Sequence, residues 1–412
     1  MSKLMVNYAL AIVLMAGESL LVSTHAQDRN VQTMTLMSLY HLADQQSQKV
    51  KVSEVALRAA DEGVAAAKSA LLPSVDLGLQ GSYTGNAFML SRGFSANGTT
   101  DYIVPGVGVI PVPNGKQDTP HWGNSFTAQV TQVVYAGGAI RSGIRMAELG
   151  KVLAELDVER NRQEVRFLLT GYYLDLCKLS NQIDVVRQNI ALTQKEIAQM
   201  KARREQGTVL QNDITRYDFQ LKDLELTMKK LTDASAIVNH QLVTTLHLPK
   251  QTVVVPDNKE LNTEINALSD IAAQDLWQTK ATNNNIDIRQ AEVAQNLAEQ
   301  KIKQAKAASL PSVAVVAENH FAGPYTQDLI PKDCNVNVWF VGVGVKFNLG
   351  SLWKNKHQIR KARIEHQQSQ ETISLVREGI ENAVQANYTN FLTSYTEVDT
   401  QKKQVELAKQ NY

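Results

Sequence analysis

The residues of this 412-residue chain best suited to chemistry are its two cysteines, Cys177 and Cys334, and its eight histidines. A zinc site needs about four Cys, His or carboxylate ligands at short, repeated spacings. His41, His121, His320, His357 and His366 stand apart from one another. His240 and His247 are two helical turns apart with no Cys or carboxylate motif to complete a site. Gly137-Gly138 lacks the Lys-Ser/Thr that a phosphate-binding loop requires. No catalytic, metal-binding or cofactor-binding constellation is read, and the chain is expected not to be an enzyme. Lys201, Arg203, Arg204 and Glu205 form a charged cluster that reads as a solvated helix face. With 42 basic and 41 acidic residues the net charge is +1, which offers no argument for a nucleic-acid partner.

Aromatic residues make up only 6% of the chain, and Ala, Gln, Leu and Val are common, a composition that favours long helices over a compact core. Residues 1–26 read as a secretory leader. Lys3 is the positive start, Tyr8 to Met15 the apolar stretch, and Thr24-His25-Ala26 the cleavage site before Gln27. Glu18 is unusual there, and an uncleaved anchor is the alternative, although the apolar run is shorter than the ~20 residues a helical span needs. No Cys follows the cleavage site, so no lipid anchor is expected.

The strongest signal is an internal repeat. Glu54 to Val75 (EVALRAADEGVAAAKSALLPSV) aligns without gaps with Glu292 to Val313 (EVAQNLAEQKIKQAKAASLPSV), and half the positions are identical. Each copy reads as a helix stopped by a proline, Pro73 or Pro311, followed by a strand of period two. After Pro73, Val75, Leu77, Leu79, Gly81 and Tyr83 share one side, with Asp76, Gln80, Ser82 and Thr84 on the other. Returning strands follow over 125–135 and 336–347, pairing with strands over 74–84 and 312–321. Gly-, Pro- and Asn-rich loops join them, a long one near 85–124 and a shorter one near 323–335. Glycine turns at Gly137, Gly138 and Gly350 then hand the chain to long helices.

The first of these helices carries a heptad seam through Leu169, Tyr172, Leu176, Leu179, Ile183, Val186, Ile190, Ile197 and Met200. From Gly138 to about Glu205 it would be roughly 100 Å long. Gly207 to Asp213 reads as a tight link, after which Ile214, Tyr217, Leu221, Leu224, Met228, Leu231, Ser235, Val238 and Leu242 form a second seam. The two runs should fold back as an antiparallel coiled-coil hairpin. In the second copy, Gln404 to Ala408 align with Asn189 to Thr193, so the chain stops at Tyr412 about ten residues short of a second tip. The second repeat is therefore expected to be truncated. The domain reading is a leader (1–26), a first repeat (27–246), a small equatorial region (247–267) containing a short strand at Val253 to Pro256, and a second repeat (268–412).

Four strands cannot close a barrel, since single-chain barrels start at about eight. An open edge in lipid would leave backbone groups unsatisfied. These strands must pair with other chains or lie outside a membrane. Three copies would supply twelve strands, each about as long as the ~9–11 residues that span a bilayer when tilted. Cys177, mid-helix, and Cys334, in a loop at the far end, should lie far beyond the ~7 Å limit for a disulfide.

The repeated helix–L-P-S-V–strand unit, the V-V-Y-A-G-G turn, the heptad hairpin with G-x-x-x-x-x-D at its tip and the leader together resemble the TolC-like outer-membrane efflux proteins, over about Thr35 to Tyr412. The resemblance implies a mostly α fold with a four-stranded β contribution. It implies a homotrimer with a twelve-stranded barrel in outer-membrane lipid and a periplasmic α-barrel, located in a Gram-negative outer membrane. It implies a periplasmic adaptor and an inner-membrane pump as partners, and passive transport. It places Gly207, Thr208, Val209, Leu210 and Asp213 against the adaptor, although Leu210 stands where the family usually has a hydroxyl residue. A periplasmic adaptor, which also carries a coiled-coil hairpin, is the alternative reading. The cargo is not legible.

Overall fold

The computed structural model describes residues 30–89, 99–113, 115–117, 119–257, 263, 273–324 and 333–410. The expected leader, the end of the equatorial region past 257, parts of both strand-joining loops and Tyr412 lie outside the described residues. In chain order the elements are β1 (Asn30–Met34), α1 (Leu36–Gln46), α2 (Gln48–Ser69), β2 (Ser74–Tyr83), β3 (Ala87–Met89), β4 (Thr99–Val104), β5 (Gly108–Pro113), β6 (Gly115–Gln117) and β7 (Trp122–Ala136). Then come α3 (Ala139–Glu205), α4 (Gln211–Thr245), β8 (Thr252–Pro256), α5 (Gln274–Asn284), α6 (Ile286–Ala307), β9 (Ser312–Gly323), β10 (Val336–Lys346), the single turn α7 (Ser351–Lys354) and α8 (Lys356–Gln410).

The chain divides into two compact units, and α2 and α3 each contribute to both. The first unit holds 1–55 and 157–273. Its core joins Leu39 and Ala43 of α1, Val50 of α2, Val165, Leu169, Tyr173, Leu176 and Cys177 of α3, Leu242 and Val243 of α4, and Val254 of β8. Thr35 caps α1 by accepting from the Ser38 N–H. β1 pairs in parallel with β8. The β8 strand lies where Val253 to Pro256 suggested, whereas its partner β1 was not expected. Salt bridges stitch the early helices to α3: Lys49–Glu164, Glu54–Arg162 at 2.8 Å and Asp44–Arg166.

The second unit holds 56–156 and 274–412. Its main sheet has the order β10-β9-β7-β2, antiparallel throughout. β7 and β9 are central, and a bulge between Val133 and Tyr135 interrupts their register. β2 and β10 are the edges. β7 is longer than the alternation suggested, and the region expected as one irregular loop contains two more ladders, β3–β6 and β4–β5. Thr99 to Val104 is β-branched and aromatic enough to pair, and Pro105-Gly106 turns it back. α8 packs along α6, with Glu292–Arg377 at 3.1 Å between them. Among the described residues no helix is long and apolar enough to cross a membrane.

Candidate functional site

The helix-to-strand junctions aim the strands. α2 and α6 end in the same turn. Leu71 N–H and Leu72 N–H bond the carbonyls of Lys68 and Ser69, and Ser309 and Leu310 bond those of Lys306 and Ala307. Pro73 and Pro311 then force extended backbone, and β2 and β9 begin at the next residue. Gly137 (φ +63) and Gly138 (φ +90) turn β7 into α3 in left-handed conformation. A side chain on Gly137 would lie 2.7 Å from the Ala307 carbonyl oxygen and 2.8 Å from Leu310 Cβ. The turn of the first repeat thus packs on the proline junction of the second. Gln132 donates to the Leu71 carbonyl at 3.0 Å, and Asn355 donates to Ala305 O at 2.5 Å. Gly350 differs from the other two glycines: its φ is −58 and it simply precedes α7.

The registers define the two faces of the sheet. On one face Val75, Leu77, Leu79 and Tyr83 of β2 stand opposite Val130, Ala128, Phe126 and Trp122 of β7. That face continues through Ala317 and Phe321 of β9 to Trp339, Val341, Val343 and Val345 of β10, interrupted by Asn319, which donates to Asn337 at 2.8 Å. The other face carries Asp76, Gln129 and Glu318 in one row, with Thr127, His320, Gln80 and Ser125 beside them, and turns apolar on β10, where Phe340 stands opposite Glu318 and Val338 opposite His320. In this single chain the apolar face is bare, with Leu79 85% and Trp339 71% exposed. Aromatic residues bound it. Tyr83 meets Trp122 edge-on at 5.1 Å at the top of β2 and β7. The boundary drops to Phe321 on β9 and to Trp339 on β10, which is level with Leu77 of β2. The band therefore slants by about two residues per strand, as a level membrane boundary does across tilted strands.

The hairpin tip belongs to the first unit. α3 ends at Glu205 and Gly207 is left-handed (φ +73). Gly207 N–H bonds Arg204 O at 2.9 Å, and Thr208 N–H bonds Arg203 O at 3.1 Å, a Schellman closure. The Thr208 hydroxyl donates to the same Arg203 carbonyl at 2.9 Å. Arg203 and Arg204 sit in the last turn, where cations suit the helix dipole. Asp213 was expected in the link but lies in the first turn of α4, because α4 starts at Gln211. Leu210 occupies the N-cap with no side-chain acceptor and is exposed, whereas Val209 is half-buried and Ile214 is buried.

Away from the tip, the hairpin is apolar on its outer flanks as well as along its seam. Phe167, Leu174, Val185 and Leu192 of α3 are all exposed, and their spacing keeps them within about 20° on one stripe. Phe219, Leu226 and Ile237 do the same on α4. The α3 stripe lies roughly opposite the buried Leu169, Tyr173 and Leu176, with Tyr173 rather than the expected Tyr172 fully buried, and the α4 stripe lies opposite Ile214, Leu221 and Leu242.

Sequence reasoning missed Asn239. From α4 it donates to Thr252 O at 2.9 Å and accepts from Val254 N–H at 2.8 Å, clamping β8. The available signal was an amide beside the seam of a helix, where Asn is a poor former. Tyr173, which donates to Asp257 O at 3.1 Å, was also missed. Both cysteines are free. Cys177 is buried, with desolvation pushing its thiol pKa up, and Cys334 is exposed.

With that geometry in view, the comparisons are specific. The family model described as outer membrane efflux protein matches residues 39–235 and 277–412. The outer membrane protein TolC of Salmonella enteritidis is 22% identical over 386 residues, 91% of this chain and 71% of that protein. The fold is similar to that of VceC from Vibrio cholerae (TM-score 0.58, 15% identity, 84% of this chain and 75% of that one). It is also similar to the open state of the MtrE outer membrane channel of Neisseria gonorrhoeae (TM-score 0.58, 14% identity, 89% and 74%).

Proposed function

The chain belongs to the outer membrane efflux protein family and is an outer-membrane protein with a periplasmic helical extension, and from that premise we propose that it is one protomer of a homotrimeric exit duct. The observation that carries the proposal is the four-stranded sheet with two edges unpaired among the described residues, one bare apolar face, and a second face that carries Asp76, Gln129, Glu318 and His320 and is apolar only along β10. In lipid, unpaired strand edges leave several kcal/mol of backbone desolvation uncompensated at each group, so such a sheet must close on itself or on copies. Four strands are too few to close, and three copies give twelve. The apolar face would meet acyl chains, and the polar face would line an aqueous lumen. The slanted aromatic boundary supports a tilted, membrane-embedded sheet. A periplasmic adaptor has no use for that sheet.

The exposed stripes on α3 and α4 support the same assembly. A hairpin that is apolar on both flanks buries itself only with a neighbour on each side, which is the condition for a closed ring of helices. The ring would continue the lumen through the periplasm. As the family resemblance implies, the duct is passive, and an inner-membrane pump supplies the energy. A periplasmic adaptor would dock on the tip residues Gly207, Thr208, Val209, Leu210 and Asp213.

The test is native mass spectrometry and planar-bilayer recording on protein extracted from the outer membrane. The expected result is a trimer with step-like conductance. A monomer that carries no current would overturn the reading.

A further inference from the structure

We propose that β10 of one copy pairs antiparallel with β2 of the next, in the register that sets Lys346 opposite Asp76. This rests on the ring assembly proposed above and specifies its seam.

The four strands of the main sheet carry only three charged residues besides His320: Asp76, Glu318 and Lys346. The acid Asp76 lies on one edge strand and the base Lys346 on the other. The registers put both on the polar face, since Asp76 is level with Glu318 and Lys346 is level with Ser312. Among the described residues neither enters an ion pair within its own chain. Opposite charges directly across a ladder stabilise pairing, and like charges oppose it.

Three further constraints select this register. First, a one-residue slip would turn the apolar side chains into the lumen, so only even slips are possible. Second, setting Lys346 against Asp76 also sets Val345 against Leu77, Val343 against Leu79 and Trp339 against Tyr83. The aromatic boundary then runs unbroken across the seam. Third, the boundary descends six residues from Tyr83 to Trp339 within one chain. With no further step at the seam, the mean descent is about 1.5 residues per strand. At ~3.3 Å rise and ~4.8 Å strand spacing, this gives a tilt of about 45°, near the top of the usual range for barrels. A slip of two residues one way steepens the tilt to about 54° and leaves Lys346 opposite Gly78. The slip the other way sets Asp76 against Gly344 and moves Tyr83 past Trp339.

The experiment is inter-copy cysteine cross-linking of the full chain in the outer membrane, with Cys177→Ser and Cys334→Ser as background. Val343→Cys with Leu79→Cys, and Gly342→Cys with Gln80→Cys, sample the two alternating classes of ladder pair, of which the non-hydrogen-bonded class brings Cβ atoms into disulfide range. Mild oxidation is expected to give a covalent trimer on a non-reducing gel from one of these pairs. Val345→Cys or Val341→Cys with Leu79→Cys, each slipped by two residues, should stay uncrosslinked. Intact trimers that link only through a slipped pair, or through none, overturn the register and leave the assembly standing. A chain that stays monomeric overturns both. As a second reading, Lys346→Asp or Asp76→Lys alone should lower the detergent-resistant trimer about fivefold, and the two together should restore it. Lack of restoration also overturns the pairing.

Discussion

Gly137 is the position where the fold allows least. Its φ of +63 lies in the left-handed region, which costs a side-chain-bearing residue about 1–2 kcal/mol. Its missing Cβ would also lie 2.7 Å from Ala307 O and 2.8 Å from Leu310 Cβ. Ala307 contributes backbone atoms there, so the clash cannot be relieved by rotating a side chain, and overpacking of this kind costs about 1–3 kcal/mol. Gly137→Ala should therefore destabilise the second unit by about 2–5 kcal/mol. Gly138→Ala is the internal control. Its φ is +90 but no atom lies within 4 Å of the added carbon, so only the strain of about 1–2 kcal/mol remains. Gly143→Ala, inside α3 and unobstructed, should stabilise by about 0.5–1 kcal/mol. Urea unfolding of the detergent-extracted protein, followed by far-ultraviolet circular dichroism, should rank the midpoints as Gly143→Ala, parent, Gly138→Ala, Gly137→Ala. Gly137→Ala at or above Gly138→Ala would show that the junction is not packed as described.

Asn239→Leu strips β8 of a donor and an acceptor in a half-buried site, at a cost of about 2–4 kcal/mol. Hydrogen exchange at Val254 should rise sharply, and unchanged protection would refute the clamp. Glu164 has its carboxyl held below the usual range, chiefly by the hydrogen bond from Lys49. The stability this lends is full above the unfolded-state value near 4.5 and is lost as pH falls through the lower folded value. Lys49→Gln should flatten the pH dependence of unfolding in that acid window, by well under ~1 kcal/mol because both side chains are about half exposed. Cys334 is exposed, and a membrane-impermeant maleimide should label it on intact cells. Cys177, buried with a raised thiol pKa, should react only after unfolding.

The main sheet was legible because its strands alternate and the prolines mark their starts. Val75-Asp76-Leu77 has no other economical reading once Pro73 has ended the helix. The long helices were legible from their seams, and Ala139–Glu205 is the uninterrupted run the heptads demanded. β1 was not legible, because Asn30 to Met34 shows no clear alternation and pairs with a strand more than two hundred residues away. The β3–β6 and β4–β5 ladders were masked by their own Gly and Pro content, which reads as loop until pairing is seen. At the tip, the Schellman closure was implicit in Gly207. The start of α4 was not, since Leu210 at the N-cap offers none of the hydroxyl or carboxylate signals by which helix starts are found.

One ion pair ties the repeat read in the sequence to the packing. The alignment that matches Glu54 with Glu292 and Asn189 with Gln404 also matches Arg162 with Arg377. Glu54 meets Arg162 at 2.8 Å, and Glu292 meets Arg377 at 3.1 Å. The neighbouring pair does not recur, because Lys49 and Glu164 correspond to Asp287 and Gly379. Stability is a poor reason for the retention, as exposed pairs contribute only about 0–1 kcal/mol. Geometry is a better one. The pair marks one height on α2 against α3 and on α6 against α8, and on the first helix pair it acts together with Lys49–Glu164 and Asp61–Lys151. Those are the helix pairs whose ends carry Pro73, Gly137 and Pro311. Within the second unit, a one-turn slip of α6 on α8 would move Pro311 by about 5 Å and carry β9 out of its ladder. On this argument the contact between α6 and α8, which recurs between α2 and α3, serves strand register rather than helix stability, and it acts on the β sheet from outside the sheet itself.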